Sequence, residues 1–329
     1  MGAALTAVGA ALPSKKLDNA ELAERFGITE DWIVARTGIQ SRRVADDDDS
    51  VVSLAVSAGR QVLQAADVDP QQLDVVIIAT CSSGRQIPAN APLVATEIGA
   101  GNAAAFDLNG ACSGFLFSLA QATALIDNGS ARRILVCGSD LLTRYTDPQD
   151  LGSSILFGDG AGAALVEYFD GPSRLGPFSL RTDGSRASFL AIPDGEPYLH
   201  MEGREVYRHA VEQMAASVGE LLKDTSMSAD DIDLLVAHQA NARILRAVAE
   251  RLAFPMEKVL TSIAQVGNTS AASIPLALAD AHESGTISDG DNIVLTAFGA
   301  GFTWGAGLVV WGTGDRRSKS VALAGDIRG

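Results

Sequence analysis

One of the three cysteines in the chain stands in a segment that has the features of an active-site nucleophile. Cys112 lies in the stretch DLNGACSGF, just after a predicted strand and in the first turn of a predicted buried helix. The positive end of a helix dipole favours a thiolate and lowers the pKa of a thiol, and free backbone amides there can stabilise an oxyanion. Free cysteine is also among the most buried residue types, so the same position suits a small core residue. The motif alone leaves both interpretations open.

A histidine occupies the end of another buried strand. His238 follows DLLVA and opens HQANARIL, so it lies where a predicted strand ends and a helix begins. A histidine there can act as a hydrogen-bonding group in a site or as a satisfied structural residue. The other three histidines flank predicted helices or a connecting segment and are less well placed: His200, His209 and His282.

An asparagine precedes a second helix of small residues, in the stretch VGNTSAAS. Asn and Thr are common helix N-caps, so Asn268 or Thr269 is expected to cap this helix. A functional role is favoured by the combination of positions. If two related halves bring the N-termini of their buried helices together, Cys112, His238 and Asn268 surround one pocket.

An internal repeat supplies the elements that would position these side chains. The segments 62–82 and 221–241 share a helix tail, a polar turn and a buried strand, with Leu73 and Ile232 at equivalent positions 159 residues apart. The stretches RRILVCG and DNIVLTA keep this offset, and GACSG and GNTSA nearly keep it. Self-similarity over this length indicates two halves of the same structure.

The fold class follows from the elements of each half. The runs VVIIA, RILVC and NIVLTAF are unbroken and β-branched, as is typical of strands covered on both faces, so we expect mostly parallel sheets with helices packed against them. The helices that follow Gly110 and Gly267 are apolar on all sides and therefore buried. We predict an α/β fold in which duplicated halves form a five-layered α-β-α-β-α sandwich. Its parts are an N-terminal half (1–169), a connector (170–200), a C-terminal half (201–311) and a C-terminal extension (312–329).

Composition and charge exclude several classes of protein. A chain of 329 residues that is 47% hydrophobic and 20% charged is typical of a soluble globular protein. Its 25 basic and 40 acidic residues give a net charge of −15, which disfavours nucleic-acid binding. No apolar run reaches the length of a membrane helix, and no basic segment precedes the short apolar N-terminal stretch, so a cytoplasmic protein without a membrane partner is expected. The absence of CxxC spacing argues against a disulfide framework and a zinc site, and no metal is predicted.

Six motifs in chain order carry a family resemblance. They are WIVARTGI (Trp32 to Ile39), DLNGACSGF, SILFGDGAGA, HQANARI, GNTSAAS and AFGAGFTWGAG. Together they resemble the β-ketoacyl-acyl-carrier-protein synthase III family of the thiolase superfamily, from about residue 1 to residue 311. The resemblance implies a thiolase-like fold and an acyltransferase that carries out decarboxylative condensation of an acyl starter with malonyl-acyl-carrier protein. Such an enzyme primes fatty-acid or polyketide synthesis.

The resemblance also assigns catalytic roles position by position. Cys112 is the acyl-accepting nucleophile, and His238 and Asn268 bind the malonyl thioester oxygen, on which enolate charge develops. The backbone amides of Cys112 and Ala300 form the oxyanion hole. Donors of this kind are typically worth about 3–4 kcal/mol each.

Binding roles and partners are implied in the same way. Contacts to the substrate fall on Trp32, Arg36, Ile87, Gly203, Tyr207 and Phe298, and docking of the carrier protein falls on Arg208, Arg243, Arg246 and Arg251. No metal or organic cofactor is required, because thioesters of coenzyme A and phosphopantetheine are the substrates. The implied partners are acyl-carrier protein, acyl-coenzyme A and a second copy of the chain in a homodimer, in which Ile87 reaches the partner's acyl pocket.

Several positions depart from the family pattern. Leu151 stands where an arginine usually packs on the adenine of coenzyme A, and Ala300 stands where glycine is usual, which requires a negative φ. Glu250 replaces a basic residue in the docking helix, and Ile87 is smaller than the phenylalanine of strict acetyl users. Together these departures allow a nonstandard starter, longer or branched, or a carrier other than coenzyme A.

Other functions are compatible with parts of the pattern. An acyltransferase of the same family would use the Cys112 acyl-enzyme without decarboxylation, although Asn268 favours condensation. Hydroxymethylglutaryl-coenzyme A synthase and plant-type polyketide synthase share the Cys and His, but the former needs a glutamate near position 80, where this chain has Thr80, Cys81 and Ser82. A noncatalytic partner subunit or a binding scaffold would be expected to lack the nucleophile.

Overall fold

Strands and helices alternate along most of the chain, and the computed structural model describes residues 2–313. The strands are β1 (Gly2–Ala11), β2 (Lys16–Asp18), β3 (Ser41–Arg43), β4 (Val75–Ala79), β5 (Ala104–Leu108), β6 (Arg133–Leu141), β7 (Asp159–Phe169), β8 (Leu175–Thr182), β9 (Leu190–Ala191), β10 (His200–Met201), β11 (Leu234–Ala237), β12 (Asn292–Gly299) and β13 (Thr303–Val310). The helices are α1 (Asn19–Phe26), α2 (Glu30–Thr37), α3 (Val51–Ala66), α4 (Asn90–Ile98), α5 (Gly114–Asp127), α6 (Leu151–Ser154), α7 (Gly203–Asp224), α8 (Ala242–Arg251), α9 (Ile263–Val266) and α10 (Ser273–Glu283).

Each half of the repeat builds one main sheet. The first has the strand order β1-β7-β6-β4-β5, and the second has the order β11-β12-β13-β8. The pairs β4–β5, β4–β6 and β11–β12 are parallel, whereas the other four neighbouring pairs are antiparallel. The prediction of mostly parallel sheets is therefore wrong. Between β12 and β13 lies only the turn Ala300–Phe302, which is too short for the crossover that a parallel pair requires.

Five layers of structure stack in the order that the sequence predicts. The outer face of the first sheet is covered by α3 and α4, the space between the sheets is filled by α5 and α10, and the outer face of the second sheet is covered by α7 and α8. Strand β4 shows why helices cover both faces of the sheet. Its side chains alternate, so that Val75 and Ile77 pack in the central core and Val76 and Ile78 pack in the outer core. The predicted α-β-α-β-α sandwich is confirmed. Among residues 2–313, no helix has the length and hydrophobicity needed to cross a bilayer.

The predicted boundaries agree only in part with the sheets. All strands of the first main sheet fall within 1–169. The predicted connector 170–200, however, contains β8, which pairs with β13 as the edge strand of the second sheet. The segment that joins the two halves therefore also contributes a strand to the second sheet. Apart from Gly312 and Thr313, the predicted extension 312–329 lies outside the described residues.

The two central helices begin next to each other. Each is preceded by a 3₁₀ turn, Ala111–Ser113 before α5 and Ser270–Ala272 before α10. The first residues of these turns are 159 positions apart and share a left-handed backbone, with φ of 47° at Ala111 and 54° at Ser270. Gly138 permits the close approach, because a Cβ there would lie 2.3 Å from the Ala271 carbonyl oxygen. The repeat thus brings two helix N-termini together.

Candidate active site

Cys112 lies at the first of these helix N-termini. Its side chain is 8% exposed, and its Sγ accepts a hydrogen bond from Ser270 Oγ at 3.4 Å. Burial raises the pKa of the thiol to about 12, and the hydrogen bonds from Ser270 and from the backbone amides of Cys112 and Ala300 oppose this shift. The expectation that the helix terminus would lower this pKa is therefore wrong in direction, because burial outweighs the hydrogen bonds. The two amides that the sequence assigns to an oxyanion hole both act on the sulfur.

His238 follows the last residue of β11 and is almost completely buried. Its Nδ1 lies 2.7 Å from Ser273 Oγ, and this Oγ accepts a hydrogen bond from the Gln239 backbone amide at 3.3 Å. The Ser273 hydroxyl can also donate its own proton to Nδ1, and in this tautomer the ring proton is on Nε2. Burial lowers the pKa of His238 to about 3. The ring is therefore a neutral donor at physiological pH.

Asn268 lies just before the second helix N-terminus, as the sequence predicts. Its Oδ1 accepts a hydrogen bond from the Ser270 backbone amide at 2.9 Å and so caps the 3₁₀ turn Ser270–Ala272. The expectation that Asn268 or Thr269 caps the helix itself is wrong, because the turn intervenes and the N-cap of α10 is Ala272, which forms no side-chain cap. Thr269, the alternative cap, makes no capping bond with its side chain. Capping fixes the amide group with its oxygen toward the backbone, and Asn268 also lines the main cavity. One side chain thus both caps the turn and lines the cavity.

These residues share one cavity of about 860 Å³. Cys112, His238, Asn268, Phe298 and Ala300 all line it, so the convergence expected from the repeat occurs. Its apolar wall includes Leu142, Phe157, Leu190, Ile192, Leu199, Met201 and Met214.

The loop after β12 carries Ala300, whose backbone amide is the second donor of the predicted oxyanion hole. Its left-handed φ angles fall on Gly301 (73°) and Phe302 (49°), and Ala300 is not among the residues with positive φ. The condition under which alanine replaces glycine at position 300 is met. Phe298 packs edge-on against Phe302, with ring centroids 5.0 Å apart, and this contact supports the loop.

The substrate-binding residues expected from the sequence divide into two groups. Gly203 and Tyr207 on α7 line the cavity together with Phe298. Trp32, Arg36 and Ile87 do not line it. On α2 the Arg36 guanidinium lies 3.8 Å from the centroid of the Trp32 ring, so these two side chains contact each other. Ile87 is 89% exposed, the largest exposure of any large hydrophobic side chain among the described residues.

Three of the four arginines that are predicted to dock the carrier protein lie on α8. Arg243, Arg246 and Arg251 are exposed, and Arg243 also lines the cavity, with its guanidinium 5.7 Å from the centroid of the Tyr207 ring. Arg208 on α7 is exposed and forms an ion pair with Glu205 at 2.6 Å. The exposed arginines of α8 therefore begin at the cavity wall and continue onto the surface.

Sequence reasoning missed four residues that organise the site. Ser273 and Ser270 are buried partners of His238 and Cys112, and Asp140 is a fully buried carboxylate. Cys81 also lines the cavity, and its Sγ lies 3.7 Å from Ser270 Oγ. The repeat offers one signal for Ser270, because it places this polar side chain at the position of Ala111.

The sequence is similar to known proteins of one family over most of its length. Family models described as 3-oxoacyl-[acyl-carrier-protein] synthase III match residues 106–184, and those of its C-terminal part match residues 222–311. The chain is 42% identical over 323 residues to the β-ketoacyl-[acyl-carrier-protein] synthase III of Roseiflexus sp. strain RS-1, covering 94% of this chain and 98% of the relative.

Solved structures are similar over nearly the whole length. The 3-oxoacyl-(acyl carrier protein) synthase III of Pseudomonas aeruginosa PAO1 superimposes with a TM-score of 0.91 at 40% identity, covering 95% of this chain and 99% of that one. The priming β-ketosynthase from the R1128 polyketide biosynthetic pathway superimposes with a TM-score of 0.91 at 33% identity, covering 95% of this chain and 97% of that one.

Proposed function

The chain belongs to the 3-oxoacyl-[acyl-carrier-protein] synthase III family, and on that premise we propose that it condenses an acyl starter, held on Cys112, with a malonyl unit on acyl-carrier protein. This decarboxylative condensation primes fatty-acid or polyketide synthesis. The observation that carries the proposal is the convergence of a buried thiol, two backbone amides and two neutral side chains on one cavity. The fold of the chain also superimposes on the solved synthases with a TM-score of 0.91.

The first half-reaction moves the acyl group from its carrier to Cys112. The sulfur attacks the thioester carbonyl carbon, and the carbonyl oxygen becomes an oxyanion held by the amides of Cys112 and Ala300. The carbon–sulfur bond to the carrier breaks, and the carrier thiol leaves with the proton that Cys112 gives up. One thioester forms as another is broken, so the acyl group stays activated. The hydrogen bonds of both amides to Sγ support this assignment.

The second half-reaction depends on His238 and Asn268. The malonyl group loses its carboxylate as CO₂, and the remaining electron pair forms an enolate whose oxygen accepts hydrogen bonds from His238 Nε2 and Asn268 Nδ2. The enolate carbon attacks the acyl carbonyl on Cys112, the carbon–sulfur bond breaks, and the thiolate takes up one proton. A neutral imidazole suits this role, because an imidazolium could protonate the carbanion before it attacks. The low pKa of His238 supports the assignment.

The substrates follow from the same groups. We propose that the enzyme requires no metal ion or organic cofactor, because the nucleophile and every donor in these steps belong to the chain itself. Thioesters of coenzyme A and of phosphopantetheine are the proposed substrates. The mainly apolar wall of the cavity supports a starter longer than acetyl.

The proposed docking site for acyl-carrier protein is the exposed arginine face of α8 together with Arg208. A carrier protein presents an acidic surface, and a local basic patch on a chain with a net charge of −15 would direct it to the cavity. Arg243 connects this patch to the cavity wall, so the phosphopantetheine arm could enter beside it. The three cysteines are free, as expected for a reducing compartment, and we propose that the protein acts in the cytoplasm.

A homodimer is proposed from the exposed edge of the first sheet. Within residues 2–313, strand β5 pairs with β4 alone, and Phe106 on β5 is 37% exposed. A second copy that adds its own β5 would satisfy this open edge. Ile87 is even more exposed, which supports its placement at the partner subunit's cavity rather than at its own.

We expect the substitution Phe106→Glu to separate the dimer. The substitution places one carboxylate from each copy in the buried contact between the two strands. The free-energy cost of burying these two unpaired charges exceeds what the contact can compensate. Light scattering of the wild type should give twice the chain mass of 34.1 kDa, and the variant should give one chain mass. Met256→Glu is the matched control, because Met256 is exposed to a similar extent, 39%, in the other half. A variant that keeps the wild-type mass would exclude this strand as the interface.

Intact-protein mass spectrometry tests the proposed function. The protein is incubated with acetyl, branched and medium-chain thioesters, each on coenzyme A and on acyl-carrier protein, and then with malonyl-acyl-carrier protein. We expect one acyl adduct per chain with the preferred donor, and we expect malonyl-acyl-carrier protein to remove it and yield a ketoacyl product. An adduct that malonyl-acyl-carrier protein leaves in place would instead support the acyltransferase. No adduct with any donor would contradict both functions.

A further inference from the structure

We propose that Ser270 is a further catalytic residue, which donates a hydrogen bond from its hydroxyl to the Cys112 sulfur and is itself polarised by the thiol of Cys81. The inference rests on the proposed function of Cys112 as the nucleophile. It adds a third donor to the two backbone amides.

The geometry places Ser270 between two sulfur atoms. Its Oγ lies 3.4 Å from Cys112 Sγ and 3.7 Å from Cys81 Sγ. Ser270 is completely buried, so no solvent competes for its hydroxyl. Its backbone amide is fixed by Asn268 Oδ1. The hydroxyl is therefore presented to Cys112 by the same turn that carries the proposed enolate donor.

The direction of these contacts follows from proton count. A serine hydroxyl has one proton and can accept two hydrogen bonds. Because that proton is donated to Cys112, the contact with Cys81 must run from the Cys81 thiol to the Ser270 oxygen. Burial raises the pKa of Cys81, so this thiol keeps its proton. The result is a chain of donors from Cys81 through Ser270 to Cys112, and such chains polarise their members.

The surroundings of Cys112 create a need for such a donor. Asp140 is completely buried and accepts hydrogen bonds from the Cys81 amide at 2.9 Å and from the Ala271 amide at 3.2 Å. Both burial and the Asp140 carboxylate disfavour a thiolate at Cys112. The thiolate nevertheless forms at the start of each cycle and is the leaving group at its end. A donor aimed at Sγ stabilises this charge at both steps.

The repeat shows that the hydroxyl is not needed for the backbone. Ala111 occupies the equivalent position in the first half with nearly the same left-handed φ, 47° against 54°. Alanine therefore fits the conformation that Ser270 adopts. Threonine is a poorer probe, because a β-branched residue is disfavoured at positive φ. Ser270→Ala thus removes the donor alone and keeps the backbone bond to Asn268.

The test is the rate at which iodoacetamide alkylates Cys112, measured between pH 7 and pH 9.5 by the mass of the peptide that contains Cys112. In this range the rate should rise about tenfold per pH unit, because only the thiolate reacts. For Ser270→Ala we expect the same dependence on pH with a rate about tenfold lower at each pH, since a hydrogen bond to a charged group is typically worth about tenfold or more. Cys81→Ala should lower the alkylation rate of Cys112 about twofold, and Cys81→Ser, which keeps a donor, should react at nearly the wild-type rate.

A matched control separates this effect from a loss of structure. Ser118→Ala removes another buried hydroxyl, one that has no hydrogen-bond partner among the described residues, and it should leave the alkylation rate of Cys112 unchanged at every pH. A wild-type alkylation rate of Cys112 in Ser270→Ala would overturn the proposal. Alkylation needs no natural substrate, so a failure of the acyl-transfer test would be a separate result.

Discussion

Replacing Cys112 with alanine will abolish the acyl adduct and reduce ketoacyl formation by on the order of 10⁴-fold or more. The reason is chemical: on the proposed mechanism the acyl group is held as a thioester, and the described residues place no second thiol at the backbone amides of Cys112 and Ala300. CO₂ release from malonyl-acyl-carrier protein should persist, because His238 and Asn268 remain in the same cavity. Intact mass and trapped CO₂ measure the two half-reactions separately.

A second cysteine provides the matched control for this experiment. Cys137 on β6 is completely buried in the outer core of the first sheet and does not line the cavity. Cys137→Ala removes the same thiol group at similar burial, so it should keep both the adduct and condensation. Cys81→Ala is a second comparison, because Cys81 lines the cavity. If the acyl adduct survived in Cys112→Ala and was lost in Cys81→Ala, Cys81 would be the nucleophile, and this result would contradict the proposed function.

The meeting of Cys112, His238 and Asn268 could be predicted because it depends on local signals and on the repeat. Cys112 and Asn268 precede helices of small residues, and His238 ends a strand, so each position is encoded within a few neighbours. The repeat then relates the two helices. In the structure, these two related helices begin next to each other. No long-range contact had to be known.

The hydrogen bonds that tune these side chains could not be predicted in the same way. Ser270 reaches Cys112 across 158 residues of sequence, and Asp140 reaches Ala271 across 131. Such contacts depend on how closely the elements approach, and here Gly138 allows β6 to touch the turn before α10. The direction of the pKa shift of Cys112 could not be predicted for the same reason. Helix polarity can be read from a motif, whereas the burial that raises this pKa is a property of the assembled layers.

The second large effect is expected at the two donors of the decarboxylation step. His238→Ala and Asn268→Ala should each lower CO₂ release from malonyl-acyl-carrier protein by about 10²- to 10³-fold, the typical loss for one oxyanion donor. Acylation of Cys112 should change little, because its oxyanion is held by backbone amides. The wild-type rate should show no inflection near pH 6.5, since burial holds the pKa of His238 at about 3 and the ring stays neutral above that value.

Asn268→Asp separates capping from catalysis at one position. Aspartate keeps an oxygen that accepts the hydrogen bond from the Ser270 amide, so the turn before α10 should form normally. It replaces the Nδ2 donor with a second oxygen, which repels an enolate instead of stabilising it. CO₂ release should therefore fall at least as far as in Asn268→Ala, while the thermal unfolding temperature stays closer to the wild type. If Asn268→Asp retained wild-type CO₂ release, the role of Asn268 would be limited to the cap, and the enolate would need a donor other than this amide.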